Sequence, residues 1–247
     1  MRNIRLLIQY DGTRYRGWQR QTSSSQTIQG KIEQVLTRMS GEEVRIDGAG
    51  RTDAGVHAKA QVANFHLNHC DMSVNEILIY LNQYLPEDIR ITSVVEAGPR
   101  FHSRFNVTGK TYRYLCIKKE HYDVFNRDFA WGLTTEIDVP AMREAAKHFL
   151  GKHDFYGFCT KDSKKKSTVR TIKEIRIEET DATISFFFEG DGFLYNMVRI
   201  LTGTLIEVGS GERKASDIPA LIEAKDRKLV GMTAPAKGLT LWQVDYD

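Results

Sequence analysis

Residues 60–96 read AQVANFHLNHCDMSVNEILIYLNQYLPEDIRITSVVE and contain two strand-like stretches separated by a helical one. The strand-like stretches are residues 60–67 and 89–96, where apolar and β-branched residues are frequent. Between them, Ser73 is a suitable N-cap, and Glu76 three residues later completes the pattern of a capping box. The stretch therefore predicts a strand, a capped helix and a second strand.

The residues before this stretch extend the pattern towards the N-terminus. Residues 4–10 alternate between apolar and polar side chains, which predicts a strand. Residues 27–40 place apolar side chains at helical spacing, which predicts an amphipathic helix, and residues 43–47 predict a further short strand. The order is β-α-β-β-α-β, the arrangement of ferredoxin-like folds.

The second part of the chain repeats this order, with an insertion near residues 151–168. We therefore expect an α+β protein of two similar domains, residues 1–105 and 106–247. No linker rich in Pro, Gly or Ser separates them, so we expect them to share a surface. The predicted elements of the second domain are a strand at 110–119, a helix at 139–150, a hairpin of strands at 169–178 and 182–189, helices at 193–208 and 217–224, and a strand at 239–246.

The composition is that of a globular protein and does not by itself reveal a partner. Among 247 residues, 41% are hydrophobic and 27% are charged, which excludes global disorder. The 35 Lys and Arg residues outnumber the 32 Asp and Glu residues by only three. A nucleic-acid interface therefore requires an uneven distribution of the charges. They are uneven, since cations concentrate in residues 14–20, 100–113 and 161–176.

The cysteines and the apolar stretches set further expectations. Cys70, Cys116 and Cys159 are scattered, which indicates neither a disulfide framework nor a cysteine zinc site. No signal-peptide pattern and no uncharged run of about 18 residues is present, so we expect a cytoplasmic protein without a membrane span.

Residues 48–58, GAGRTDAGVHA, place an acid between glycines and beside an arginine. Glycines allow a tight loop, which could present the Asp53 carboxylate at the edge of a sheet. The guanidinium of Arg51 would favour the ionised carboxylate, and an oriented carboxylate can act as a nucleophile. The alternative is a polar turn with an incidental ion pair, in which His57 is a structural histidine.

Two segments mix cationic and aromatic residues, as RNA-binding surfaces do, and a third is rich in lysine. They are residues 10–21 (YDGTRYRGWQRQ), residues 100–114 and the lysine-rich residues 161–176. In the alternative interpretation the aromatic residues belong to the core and the lysines to a solvated loop. A fourth segment, residues 190–199 (GDGFLYNMVR), opens an apolar helix that carries one arginine. If Arg199 is buried it needs a carboxylate partner, for which Asp53 is a candidate; otherwise it lies on an exposed stripe.

These segments, in this order, resemble the tRNA pseudouridine synthase A family. The similarity extends over essentially the whole chain and includes GRTDAGVH (residues 50–57), LNQYLPEDI (81–89), FHSRFNVTGKTYRY (101–114), HDFYGFC (153–159), NMVRILTG (196–203), TAPAKGL (233–239) and LWQVDY (241–246). The resemblance implies two ferredoxin-like halves that merge into one antiparallel sheet with a central RNA-binding cleft. It also implies a homodimer without cofactor or metal, which isomerises uridines 38, 39 and 40 in the anticodon stem-loop of tRNA to pseudouridine.

The resemblance also assigns roles to individual residues. Asp53 matches the catalytic aspartate, Tyr112 the tyrosine that stacks on the target base, and Arg199 the arginine that pairs with the aspartate. Arg51 matches the arginine that helps to extrude the base, and Leu241 an apolar residue near it. Whether Asp53 attacks C1′ or C6, or removes a proton from C2′, stays open. Further residues expected to contact RNA are Arg14, Arg16, Trp18, Arg20, Phe101, His102, Arg104, Lys110 and Arg170.

Two other functions are compatible with the same residues. The cationic and aromatic segments would equally serve an RNA-binding module without catalysis, although such a module has no need of a carboxylate facing RNA phosphates. An enzyme of the same family could also act on another tRNA position or on ribosomal RNA.

Overall fold

The computed structural model describes residues 1–68, 70–160 and 167–247, which form an α+β fold of ten strands and five α-helices. None of these helices is long and apolar enough to cross a membrane. The elements, in chain order, are β1 (Arg2–Tyr10), α1 (Ile28–Ser40), β2 (Asp47–Gly48), β3 (His57–Leu67), α2 (Val74–Tyr84), β4 (Ile89–Ala97), β5 (Val107–Ile117), β6 (Trp131–Gly132), α3 (Val139–Lys147), β7 (Gly151–Asp154), β8 (Val169–Glu179), β9 (Thr183–Gly190), α4 (Met197–Gly209), α5 (Ile218–Ala224) and β10 (Leu239–Tyr246).

The chain forms two compact units that differ from the expected domains mainly at the C-terminus. The first unit comprises residues 1–108 together with residues 241–247, and the second comprises residues 109–240. Most of β10 therefore belongs with the N-terminal elements, where it neighbours β3. The hydroxyl of Tyr246 donates to the carbonyl of Ser103 at 2.6 Å, which attaches the end of this strand to the first unit.

In the sheet of the first unit, strand β1 has one covered face and one more open face. Its strand order is β4-β1-β3-β10, and β2 pairs with the edge of β3. In β1 the side chains of Ile4, Leu6 and Ile8 are completely buried, whereas Arg5 and Gln9, which point to the other face, are exposed. This alternation follows from the two-residue period of a strand, and it leaves Arg5 on the open face.

The N-terminus of α2 has the geometry that the sequence predicts. The backbone N–H of Glu76 donates to Oγ of Ser73 at 3.3 Å, and the backbone N–H of Ser73 donates to Oε2 of Glu76 at 2.8 Å. The backbone N–H and the hydroxyl of Ser73 both donate to the carboxylate of Glu76, and these two bonds lower its pKa. The capping box at Ser73 and Glu76 is therefore confirmed.

The strand predicted at residues 43–47 is wrong in extent, because only Asp47–Gly48 pairs with β3. The backbone before it is bonded to side chains of α1 instead of to a neighbouring strand. The N–H of Val44 donates to Oγ1 of Thr37 at 3.2 Å, and the N–H of Ile46 donates to Oε1 of Glu33 at 3.1 Å. The buried backbone groups are thus satisfied without a ladder.

The sheet of the second unit is mixed rather than purely antiparallel. Its strands follow the order β5-β9-β8-β7 in antiparallel pairs. The short β6, however, runs parallel to the end of β5, opposite Cys116 and Ile117. Strand β7 lies within the segment that the sequence suggested as an insertion.

The predicted helix at residues 193–208 begins four residues later, at Met197. Asn196 precedes it with a φ of 62°, and this left-handed conformation cannot continue a right-handed helix. Helix α4 is buried along most of its length and packs closely on the following chain. A Cβ built on Gly203 would lie 2.0 Å from the carbonyl oxygen of Met232, so only glycine fits there.

We expect Gly203→Ala to destabilise the protein, because the new methyl group forces α4 away from the backbone of Met232. The cost of overpacking exceeds the gain of about 1 kcal/mol in helix propensity, so the free energy of unfolding should fall by about 2 kcal/mol. The midpoint of thermal unfolding should then fall by roughly 4–8 °C. The matched control is Gly98→Ala, since a Cβ on Gly98 meets no atom within 4 Å. Equal melting temperatures for the two variants would contradict the packing argument.

Candidate active site

The loop that carries Asp53 is held on both sides of the carboxylate. Before it, buried Thr52 shares a hydrogen bond of 2.7 Å between its hydroxyl and that of Tyr10, and its carbonyl accepts from the N–H of Trp18 at 3.0 Å. After it, the carbonyl of Asp53 accepts from the N–H of Val56 at 3.1 Å. The Asp53 side chain is half-buried, so a fixed backbone presents a carboxylate that is still partly accessible.

Tyr10 can hold this position because it lies in the core at the end of β1. Burial raises the pKa of Tyr10 well above its ordinary value, which keeps its hydroxyl neutral and able to share a proton with Thr52. The neighbouring chain also approaches closely, since Gly17 has a φ of 93° and a Cβ there would lie 2.6 Å from the carbonyl oxygen of Thr52. A larger residue at this position would push the loop outward.

His57 has a structural position in the same loop. Its ring is buried, and Nδ1 accepts from the backbone N–H of Gly12 at 3.1 Å. This matches the structural alternative for this histidine. Arg51, at the other end of the loop, is exposed, so its guanidinium is open to an incoming ligand. Leu241, also in the first unit, is completely buried and offers no surface to a ligand.

Arg199 and Tyr112 belong to the second unit, where each has well-defined neighbours. The Nε of Arg199 donates to the carbonyl of Ala234 at 2.7 Å, and its Nη1 donates to Oδ1 of Asn196 at 2.7 Å. The carbonyl of Arg199 in turn accepts from the N–H of Ala234 at 3.1 Å. The ring of Tyr112 meets Phe193 edge to face, with centroids 5.3 Å apart, and is 8% exposed.

Asn196 is a residue that the sequence pattern did not single out. Its side chain links two segments of the second unit, because Oδ1 accepts from Arg199 and Nδ2 donates to Oγ1 of Thr160 at 2.8 Å. Asparagine tolerates the left-handed backbone better than most residues, and this position therefore combines a conformational and a hydrogen-bonding demand. An Asn placed directly before an apolar helix is the sequence signal that could have identified it.

The residues expected to contact RNA differ widely in accessibility. Trp18 is 2% exposed, with its indole against Gly48, so the expectation that it stacks on a base is corrected: its ring belongs to the core. The lysines at 161 and 164–166 lie outside the described residues. The others are exposed at Arg14, Arg16, Arg20 and Arg104, and half-buried at Phe101, His102, Lys110 and Arg170.

Two of the exposed arginines form ion pairs with acidic residues, which partly neutralise their charge. Arg14 donates from Nη2 and Nε to Oδ2 of Asp88 at 2.6 and 3.0 Å, and Arg20 lies 3.6 Å from a carboxylate oxygen of Glu33. Within the described residues, no group of three or more His, Cys, Asp and Glu side chains is arranged to hold a metal ion.

Comparison with known proteins identifies the family. A family model described as tRNA pseudouridine synthase matches residues 6–106 and 145–247. Over 246 residues and the full length of both chains, this chain is 46% identical to tRNA pseudouridine synthase A 2 of Bacillus cereus (strain ZK / E33L). It is 44% identical to tRNA pseudouridine synthase A of Acetivibrio thermocellus, again over both full lengths.

Among solved structures, one chain of a Cbf5–Nop10–Gar1 complex is similar to this protein, with a TM-score of 0.37 and 13% sequence identity. The match covers 82% of this chain and 45% of the other chain, and the similarity is too low to carry an argument. The match to the family model and the full-length relatives are decisive. The chain belongs to the tRNA pseudouridine synthase A family and is a pseudouridine synthase, an isomerase.

Proposed function

We propose that the enzyme converts uridines 38, 39 and 40 of the tRNA anticodon stem-loop to pseudouridine, with Asp53 as the nucleophile. Membership of the family supports a tRNA substrate, and the motifs around Asp53 support the choice of catalytic residue. The observation that carries the proposal is the loop between Thr52 and Val56, which fixes the backbone of Asp53 while leaving its carboxylate partly accessible.

The reaction is an isomerisation and needs no net oxidation or reduction. The N1–C1′ bond of the uridine breaks, the uracil turns, and a C5–C1′ bond forms in its place. The proton that leaves C5 is balanced by the one that N1 gains. In the proposed course, the Asp53 carboxylate attacks the substrate to form a covalent intermediate, which divides one difficult step into two easier ones.

The target base has to leave its stack before Asp53 can reach it. Flipping a base costs a few kcal/mol, and contacts with the protein must compensate for this cost. We assign the stacking contact to Tyr112 and the replacement of the extruded base to Arg51. The exposure of Arg51 supports its part, because a long and accessible guanidinium can enter the space that the base vacates.

Arg199 is proposed to keep the catalytic carboxylate ionised and oriented, as the resemblance implies. The bonds from Arg199 to Ala234 and Asn196 support this positioning role, because they hold the Arg199 side chain in one rotamer. A preorganised charge stabilises a developing charge without reorganisation during the reaction.

We further propose that the enzyme is a homodimer and acts in the cytoplasm. The resemblance to the family supports the dimer, and a tRNA substrate supports the location. Sedimentation equilibrium at micromolar concentration should give twice the mass of one chain, and a monomeric mass would count against the dimer.

Replacing Asp53 by Asn should abolish catalysis, because the amide has the shape of the carboxylate but neither its charge nor its nucleophilicity. We expect release of tritium from tRNA labelled with 5-³H-uridine to fall by roughly a thousandfold or more. The control is Asp71→Asn, which removes an exposed acid of the same unit and should keep full activity. Binding of the RNA to the Asp53 variant should persist. Full tritium release by that variant would overturn the assignment.

The role of Asn196 can be separated from its backbone conformation by two substitutions. Asn196→Gly removes the acceptor for Arg199 but suits the left-handed backbone, so stability should hold while kcat falls about tenfold with an unchanged KM. Asn196→Ala should lose the same activity and, in addition, about 1 kcal/mol of stability. Single-turnover kinetics and thermal melts measure the two effects. A Gly variant with wild-type kcat would show that Asn196 acts only on the fold.

A further inference from the structure

The first unit contains a cavity of about 460 Å³ on the open face of its sheet. It lies between β1, the end of β10 and the segment that joins β4 to β5. Its lining includes Arg5, Arg100, Phe101, Phe105, Tyr246 and Asp247. The cavity is large enough for a small organic ligand.

The walls of this cavity are aromatic and cationic. The rings of Phe101 and Tyr246 lie 5.2 Å apart at a tilt of 54°, and the guanidinium of Arg5 lies 5.6 Å from the centre of the Phe101 ring. Phe105 stands at the rim with 76% of its surface exposed. One neighbour of the Phe105 ring is the His102 ring, whose centroid lies 4.2 Å away, and the exposed surface of Phe105 suits a flat ligand that can stack on it.

The exposure of Phe105 does not come from a loose loop. Nδ2 of Asn3 donates to the carbonyl of Phe101 at 2.9 Å, and the hydroxyl of Tyr246 donates to the carbonyl of Ser103 at 2.6 Å. Ser103 is completely buried, and its N–H donates to Oδ1 of Asn64 at 2.8 Å. These bonds fix the segment from both sides, so the cavity is formed before a ligand arrives and little ordering entropy is lost on binding.

The lining contains groups that can bind a phosphate. Two guanidinium groups, of Arg5 and Arg100, line the cavity together with the C-terminal residue Asp247. Arginine binds phosphate by paired hydrogen bonds, and aromatic rings stack on unpaired bases of single-stranded RNA. The bases of a duplex present no free face to such rings, so the lining suits a nucleotide outside a helix.

We propose that this cavity is a subsite for an unpaired nucleotide of the RNA substrate, with its base stacked on Phe105 and its phosphate bound by Arg5 and Arg100. The proposal rests on the proposed function and names a second contact of the same RNA. Arg5 lies five residues, or about 17 Å, along β1 from Tyr10, which holds the Asp53 loop. The nucleotide bound here is therefore not the target uridine but another one in the loop.

The test measures RNA binding in the Asp53→Asn background, where turnover does not interfere. The two ligands are an anticodon stem-loop RNA and a blunt duplex with the sequence of its stem. Phe105→Ala should weaken binding of the stem-loop about tenfold and leave binding of the duplex unchanged, since only the stem-loop has unpaired bases. Arg100→Gln should lower the slope of log Kd against log salt by about 0.7, the value for one lost phosphate contact on a single strand.

Two matched controls come from exposed residues of the same unit that lie outside the cavity. Ile79→Ala removes an apolar side chain that is 58% exposed, and Arg45→Gln removes a guanidinium that pairs with Glu43. Both should bind the stem-loop as the parent does. If Phe105→Ala and Arg100→Gln stay within twofold of these controls, the subsite proposal is overturned. It is also overturned if Phe105→Ala changes the sedimenting mass, because the ring then meets protein rather than RNA.

A single-stranded RNA pentamer separates failure of this proposal from failure of the proposed function. Loss of pentamer binding in Phe105→Ala supports the subsite even if the wild-type enzyme releases no tritium from the anticodon stem-loop. In contrast, normal tritium release together with pentamer binding that is insensitive to Phe105 overturns the subsite alone.

Discussion

The attachment of the Asp53 loop to the end of β1 is the interaction on which the site in the first unit depends. It consists of the bond between the hydroxyls of Tyr10 and Thr52 and the bond from the N–H of Trp18 to the carbonyl of Thr52. A buried hydrogen bond contributes about 1 kcal/mol net, but leaving its partner unsatisfied costs more. The loop therefore has one favourable position, which also fixes where the carboxylate of Asp53 lies.

Hydrogen bonds from polar side chains also hold two other irregular segments of the first unit in place. Glu33 and Thr37 of α1 bind the backbone before β2, and Asn3 and Asn64 bind the segment around Ser103. In each case a polar side chain that is buried or half-buried replaces the ladder that a strand would supply.

Much of the fold could be predicted from local patterns, and the failures have a common cause. The alternation in β1, the helical spacing in α1 and the capping box of α2 are properties of neighbouring residues, so the sequence alone reveals them. The short β2 and the late start of α4 could not be predicted in this way. They depend on side chains of α1, which are distant in sequence, and on the left-handed conformation of Asn196.

The residues of the candidate site also separate into those that a motif can indicate and those whose surroundings only the structure shows. The resemblance of short motifs proposed roles for Asp53, Arg51, Tyr112 and Arg199, since a motif retains its residue types even where their geometry is unknown. The composition of residues 10–21 predicted an RNA contact for Trp18, whose burial a mixture of arginine and aromatic residues cannot reveal. Such a mixture is equally typical of an RNA surface and of a core flanked by charges.

The sequence by itself determined most of the strands and helices, the family and the candidate residues for the chemistry, because these follow from local periodicity and from motifs. Only the tertiary structure decided which aromatic rings are buried and which remain open to solvent. It also brought Arg5, Phe101 and Tyr246 together, although they are separated by up to 241 positions in the chain. The physical reason is that burial depends on all neighbours in space, and strands that pair across a sheet unite residues that no local pattern connects.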